Sequence, residues 1–431
     1  MGFRMRRPTL GFWLAVVLTG AATGLGTAAL MDLLYVVQHT LWPGAGMDLL
    51  DAAAHAGWPR HLVVLLGAGV LTGAGHFLLR RLSGTGIDVT TAIWLYAGRL
   101  PALRTLGSAV LSIVVVGMGA SLGREGAPKQ AGAVIANTAS DAAGLPDDKR
   151  RLLVACGAGA GFAAAYGVPL GGALFALEVL HGELAPRFVL PALLTSVIAT
   201  GVSWLFLPDA PTYLIPAYPG SLSVAMWALL AGPVAGVVAV LFVRAVAWAD
   251  GHRPRGWLRL VAPVPALGLL GATSITFPQL LGNGRDVAEL AFTGRVAPLL
   301  LLALLLLKPA ASLLCLTSGT PGGLFTPSLA FGALLGGVLG YPWSLLWPEA
   351  PPGLFAVLGA AAVVAATTQG PVSTVVLVVE LTGHARSFIL PLLLMVTIAT
   401  LTARLIDARS IYDARLTDEE LRRRDQALSG S

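Results

Sequence analysis

Cysteine is almost missing. The chain has 431 residues and two cysteines, Cys156 and Cys315, far apart and inside apolar segments. That excludes a disulfide framework and a cysteine-ligated metal site. Charge is scarce too: Lys, Arg, Asp and Glu make up 12% of the chain, against about 25% in an average soluble protein. So little charge cannot clothe a soluble globule. The seven histidines are scattered without ligand spacing and read as packing residues. No metal, cofactor or catalytic residue is implied. The short, mixed-charge tail "LTDEELRRRD" is no nucleic-acid patch. Few polar groups fall inside the apolar runs, which argues against a carrier of organic solutes.

What is present instead is apolar bulk. Hydrophobic residues make up 56% of the chain, and 52 residues are glycine. This composition describes an all-α polytopic membrane protein. Small residues let membrane helices approach closely and let them break inside the protein. Arg4, Arg6 and Arg7 precede the first apolar run, Pro8–Leu30. Arg404, Arg409, Arg415 and Arg422 to Arg424 follow the last. The positive-inside rule then places both termini in the cytoplasm of a cell's inner (plasma) membrane. The first run is too long for a signal-peptide core and is kept as a span.

Runs long enough to cross are 8–31, 61–79, 105–122, 188–207, 222–243, 261–280 and 387–403. Three others are interrupted: 152–177 by "YGVPLGG", 309–348 by "TSGTPGGLFTP", and 353–379 by "TTQGP". Pieces of ~10–14 residues do not cross a ~30 Å hydrocarbon core. Short halves joined by Gly/Pro breaks mark discontinuous helices around a midplane site. The breaks are paired. Pro169 and Pro371 stand 202 positions apart, as do Glu178 and Glu380, and Gly157 and Gly359. Gly123 and Gly323 stand 200 apart, as do Gly132 and Gly332. Two homologous, inverted repeats of tilted and broken helices are expected, at 10–205 and 220–405. A short cytoplasmic tail, 406–431, follows, with Thr417 as the N-cap of a helix and no attached soluble domain.

Three glycine-rich breaks carry the chemistry: "SGTGIDV" at 83–89, "GREGAP" at 123–128 and "GGLFTP" at 322–327. Each precedes a helix. The first N–H groups of a helix lack intrahelical partners, and its dipole is positive there. Several such ends converging hold a small anion without a full positive charge, so the anion can leave again. Glu125 is an expensive charge at that place, costing ~2.5–3.5 kcal/mol on insertion scales. A site that accepts its carboxylate would also accept a halide, so the two should compete.

These motifs resemble the CLC family of chloride channels and chloride/proton exchangers. The family patterns Gly-Ser-Gly-Ile-Pro, Gly-Arg-Glu-Gly-Pro and Gly-x-Phe-x-Pro read here "GTGID", "GREGA" and "GLFTP", and Tyr412 in "SIYDARL" matches the late tyrosine. The resemblance runs from about residue 10 to 417. It implies that Thr85 and Tyr412 contact a central anion and that the backbone N–H groups of Leu324 and Phe325 line the same position. It implies that Glu125 is the gating glutamate, with Gly126 following it beside the outer anion position. Family members are homodimers in the lipid bilayer; here the apolar faces of 187–207 or 387–403 would pair.

The departures are specific. Proton-coupled members often carry a second glutamate after the position of Glu178; this chain has Val179. Glu178 and Glu183 are the nearby acids. Thr85 stands for serine, and Asp88 stands for proline and reads as the N-cap of "DVTTAIWL". Lys129 lies one turn after Glu125, at i+4, where it can pair with that carboxylate or with another acid. Lys129 and Arg124 are electrostatic modulators in this reading, and Arg124 alternatively a structural partner of Glu125. Chloride transport, with protons coupled or not, is the expected function. A fluoride/proton antiporter of the same fold remains an alternative, as does, more remotely, an intramembrane enzyme.

Overall fold

The computed structural model describes residues 10–44, 48–84, 86–218, 220–384 and 388–429. Its regular elements there are helical, and β-pairing is confined to one isolated antiparallel bridge. The longer helices of the first half are α1 (Leu10–Leu41), α2 (Trp58–Ser83), α3 (Val89–Leu95), α4 (Ala102–Gly117), α5 (Gly126–Ala142), α6 (Asp147–Tyr166), α7 (Pro169–Phe175) and α8 (Pro186–Ser203). Those of the second are α9 (Leu222–Gly251), α10 (Pro263–Ser274), α11 (Pro298–Ser318), α12 (Phe325–Leu346), α13 (Pro352–Thr368), α14 (Pro371–Thr382) and α15 (Ile389–Ile406), before the tail helix α16 (Asp418–Ser429).

Among the described residues, seven helices are long and apolar enough to cross a membrane: α1, α2, α8, α9, α11, α12 and α15. Two expected crossings are shorter than their apolar runs. The run 105–122 yields α4, which stops at Gly117 because Gly119 turns the chain with φ +114°. The run 261–280 yields α10, which stops at Ser274 before a 3₁₀ turn at Pro278–Leu280. Conversely, the interrupted run 309–348 belongs to two helices that each have spanning length, α11 and α12. The break between them falls at Gly319, in the left-handed region at φ +88°.

The halves are related by their contacts. Gly123 and Gly323 form the isolated bridge, each N–H donating to the other's carbonyl at 2.8 Å. A Cβ built on Gly132 would run into the carbonyl of Gly157, and one on Gly332 would lie 2.5 Å from that of Gly359. These are the glycine pairs with offsets of 200 and 202, and only the lack of a side chain lets α5 meet α6, and α12 meet α13, at backbone distance. The same relation appears at Glu178 and Glu380. Glu178 accepts hydrogen bonds from Val372 N (3.1 Å) and Ser373 N (2.6 Å), at the start of α14. Glu380 accepts from Leu170 N (3.1 Å) and Gly171 N (2.6 Å), at the start of α7. Each half therefore supplies the carboxylate that satisfies orphan N–H groups of the other half's broken helix.

Both ends of the described chain lie on one face. Near the start, the Lys149 ammonium sits over the Phe12 ring at 5.7 Å, and Asp147 pairs with Arg99 at 2.7 Å. From the end, the Arg424 guanidinium covers the Trp94 ring at 5.1 Å. Thr417 caps α16 as its sequence suggests: its hydroxyl accepts from Glu420 N at 3.3 Å, and the Glu420 carboxylate accepts from Thr417 N at 2.9 Å. This is a capping box.

Candidate functional site: a carboxylate on a helix N-terminus

Glu125 immediately precedes α5, and its side chain is 4% exposed. It does not cap its own helix. The Gly123–Gly323 bridge brings the start of α12 against it, and the carboxylate crosses to the other half. Oε1 accepts from Phe325 N at 2.7 Å and more weakly from Thr326 N at 3.4 Å. Oε2 accepts from the Thr326 hydroxyl at 2.9 Å and the Tyr166 hydroxyl at 3.3 Å. The Tyr166 and Thr326 hydroxyls also lie 2.6 Å apart; with one proton each they cannot make all three bonds at once, so when Tyr166 donates to Thr326, Thr326 alone donates to Oε2. Gly126 and Gly323 permit the approach: a Cβ on Gly126 would lie 3.1 Å from Gly323 N, and one on Gly323 would overlap the carboxylate itself.

The energetics favour the arrangement. A mid-membrane charge costs ~2.5–3.5 kcal/mol. A hydrogen bond to a charged group contributes about 1.5–3 kcal/mol, and a partly buried helix end up to ~2 kcal/mol. Two good bonds and one helix end cover the cost. The donors are two amides and two hydroxyls, with no ammonium or guanidinium among them. Such a set can hold an anion by dipoles.

Phe162 and Phe325 pack edge to face at 4.8 Å, Phe325 reaches Phe175 at 6.2 Å, and Phe175 reaches Tyr412 at 6.4 Å. This aromatic wall leads from the carboxylate toward the face of the chain ends. Tyr412 is held by its own backbone, with Ile411 N donating to Thr367 O at 2.7 Å. Beyond it lies a small cavity of about 150 Å³ lined by Asp88, Thr91, Asp250, Tyr412 and Arg415. On the opposite side, a cavity of about 560 Å³ reaches Arg124, with Arg285, Asp48 and Asp286 in its wall.

Residues 67–404 match the family described as voltage gated chloride channel. The chain belongs to this CLC family. A putative chloride channel protein ClcB-like from Ralstonia nicotianae is 31% identical over 421 residues, covering 94% of this chain and 97% of its own. The H(+)/Cl(−) exchange transporter ClcA of Vibrio vulnificus is 29% identical over 395 residues, covering 84% and 82%. Two solved structures share the fold. A slow cyanobacterial Cl−/H+ antiporter superposes with a TM-score of 0.83 at 22% identity, covering 94% of this chain and 96% of that one. A CLC-type fluoride/proton antiporter gives 0.74 at 22%, covering 94% and 98%.

Of the residues expected at this CLC protein's site, Glu125, Gly126, Leu324 and Phe325 adjoin one another, whereas Tyr412 is linked to them through the Phe175 ring. The amides that face the carboxylate are that of Phe325 and, more weakly, that of Thr326. Thr85 lies outside the described residues. Asp88 caps α3 as read, accepting from Thr90 N at 2.8 Å. Among the described residues no ion pair joins Glu125 to Arg124 or to Lys129. Arg124 lies over the Tyr166 ring at 4.9 Å, and the Lys129 ammonium over the Tyr412 ring at 4.9 Å. Val179 is buried against Gly370, Glu178 is spent as a helix cap, and Glu183 pairs with Arg187 at 3.0 Å.

Three residues escaped the sequence reading. Thr326 follows Phe325 in "GLFTP", and Tyr166 sits in the break "AAYGVP"; both positions adjoin motifs, which is the signal that was there. Lys308 is a lone cation in a leucine run. It is 1% exposed, and its ammonium donates to the carbonyls of Leu280 (2.9 Å), Leu281 (3.2 Å) and Gly282 (3.1 Å). It thereby ties the 280–284 loop to α11, beside Thr326.

Proposed function

We propose that this CLC protein transports chloride or a similar small anion across the membrane and that Glu125 gates the path by competing with the anion. The observation that carries this reading is the Glu125 carboxylate on Phe325 N at 2.7 Å, where a monatomic anion would bind. Tyr412 and the start of α12 line the inner anion position, to which the family resemblance also assigns Thr85, and Gly126 faces the outer one. Arg124 and Lys129 tune the field from either side. The two repeats span 10–205 and 220–405. The protein acts as a transporter or channel rather than an enzyme, in the inner (plasma) membrane, with both termini cytoplasmic. The charge distribution supports that orientation: Arg80, Arg81, Arg99, Lys149, Arg255 and Arg404 lie on the face of the chain ends, whereas Arg60, Arg285 and Arg295 lie on the other.

Protonating Glu125 removes its charge and its hold on the amides, so anion passage should speed up as pH falls. Whether each anion is exchanged for protons is read directly from flux. Val179 supplies no inner acceptor, and coupled protons would have to reach Glu125 through water. The protein works as a homodimer in the lipid bilayer, as the family resemblance implies, paired through apolar surface such as Leu190 and Val197 of α8 and Leu390 and Leu393 of α15.

The test is chloride efflux from proteoliposomes, with external pH recorded. Wild-type flux should rise with acidity, and Glu125→Gln and Glu125→Ala should be fast and insensitive to pH. A pH profile unchanged in Glu125→Ala would sink the gating role. Proton movement in fixed ratio to chloride marks an exchanger; flat pH under current marks a channel. The same assay run with fluoride sets the selectivity.

A further inference from the structure

The face of the chain ends carries a second cavity, of about 570 Å³, that anion gating does not explain. Arginines 104, 253, 255, 259 and 415 line it, and Asp250 is its one carboxylate. That carboxylate is already engaged: Oδ1 accepts from Arg253 Nη2 and from Arg415 Nε, both at 2.9 Å. Five guanidinium charges against one carboxylate leave four in excess. Arg253 spends its Nε on the carbonyl of Leu316 at 3.2 Å, and His76 bonds the carbonyl of Gly319 at 2.8 Å, so these two also close the end of α11. Arg104 and Arg259 are not so occupied. Nη1 of Arg104 and Nε of Arg259 are buried with no hydrogen-bond partner. Arg104 also feels the repulsive charges of Arg80 and Arg259.

Buried guanidinium nitrogens without protein acceptors, gathered by like-charged neighbours around a cavity, are suited to a multiply charged anion. A single halide is the wrong size. It neutralises one charge and cannot bridge guanidiniums on three different segments. A planar guanidinium fork matches the oxygens of a phosphate group pairwise, and several forks suit several linked phosphates. The position has a consequence as well. Asp250 and Arg415 line both this cavity and the small one that reaches Tyr412. A ligand here would stand across the mouth of the anion path.

We propose that this vestibule binds a polyvalent phosphate anion, a compound carrying two or more linked phosphate groups, and that the bound anion blocks transport. The proposal rests on the transport reading for its effect but not for its binding. The probe is inorganic tripolyphosphate, added to both faces of proteoliposomes of neutral lipid, with chloride efflux as the readout. A Kd of ~0.1 mM would leave about one tenth of the flux at ~1 mM tripolyphosphate. Sodium gluconate at matched ionic strength should leave flux unchanged. The double variant Arg255→Gln/Arg259→Gln should keep basal flux within about twofold and lose most of the inhibition, since each guanidinium–phosphate contact is a charge-assisted bond. A parallel arm with phosphatidylglycerol vesicles separates a soluble ligand from a lipid headgroup. Flux already suppressed there, and relieved by the double variant, assigns the site to the lipid and overturns a soluble ligand. Equal inhibition of wild type and double variant, or no inhibition at all, overturns the proposal. If basal chloride flux is itself missing, the transport reading fails separately. Calorimetric titration of the purified protein with tripolyphosphate then decides the binding, heat without saturation counting against it.

Discussion

At the scale of single residues, the site is a small number of donors around one carboxylate, and its two hydroxyls can be removed by substitution. Thr326 is the informative one. Its hydroxyl donates to Glu125 at 2.9 Å, and Val keeps its shape. Thr326→Val should weaken the hold on the carboxylate by ~1.5 kcal/mol, so that flux near neutral pH rises by about tenfold. Stopped chloride efflux checks this; a flux that falls would mean that the hydroxyl serves the anion more than the gate. Acid sensitivity should not come from the nearby tail. The Arg409 side chain, hydrogen-bonded to Asp407, is the main cause holding that carboxyl down at about 2. A depressed carboxyl contributes stability above its ordinary pKa of 3.8 and loses it only as pH falls through about 2. Asp407→Asn should therefore leave the pH profile of flux above pH ~4 unshifted, while Glu125→Gln flattens it.

Helices show what was and was not legible in the sequence. Glu125 could be found because a carboxylate in an apolar run is expensive and must have a partner. The broken helices could be found because glycine and proline interrupt the hydropathy. The paired offsets then became contacts: Gly123 on Gly323, Gly132 on Gly157, Gly332 on Gly359. Tyr166 and Thr326 were invisible for a physical reason. Neither is costly to bury, and they lie 160 positions apart, so only tertiary packing aims both hydroxyls at one carboxylate. Nor did the offset of Glu178 from Glu380 reveal that each caps the other's half. That exchange has a measurable weight. Replacing a capping side chain costs ~0.5–2 kcal/mol. Glu178→Gln and Glu380→Gln should each lower the detergent-solubilised melting temperature by a few degrees, and by similar amounts, because their geometry is matched. A drop confined to one of them would mean that the two caps are not equivalent.

Across the whole molecule, the distribution of arginine predicts an orientation, and the two cysteines make it easy to test. Cys156 and Cys315 are both buried and should not react. Glu419 and Arg295 are exposed on opposite faces. In intact cells a membrane-impermeant maleimide should label Arg295→Cys and spare Glu419→Cys, and the pattern should invert in inside-out vesicles. Labelling of both from outside would refute the topology.

The crossed caps at Glu178 and Glu380 also bear on biogenesis. During synthesis the first half enters the membrane long before Glu380 exists, so α7 must wait with its leading amides open until the last helices arrive. Completion of the early half is thus deferred to the end of translation. A chain truncated before α14 would leave the ribosome with an unfinished helix start. A separately expressed second half would carry the missing carboxylate and could serve as its complement.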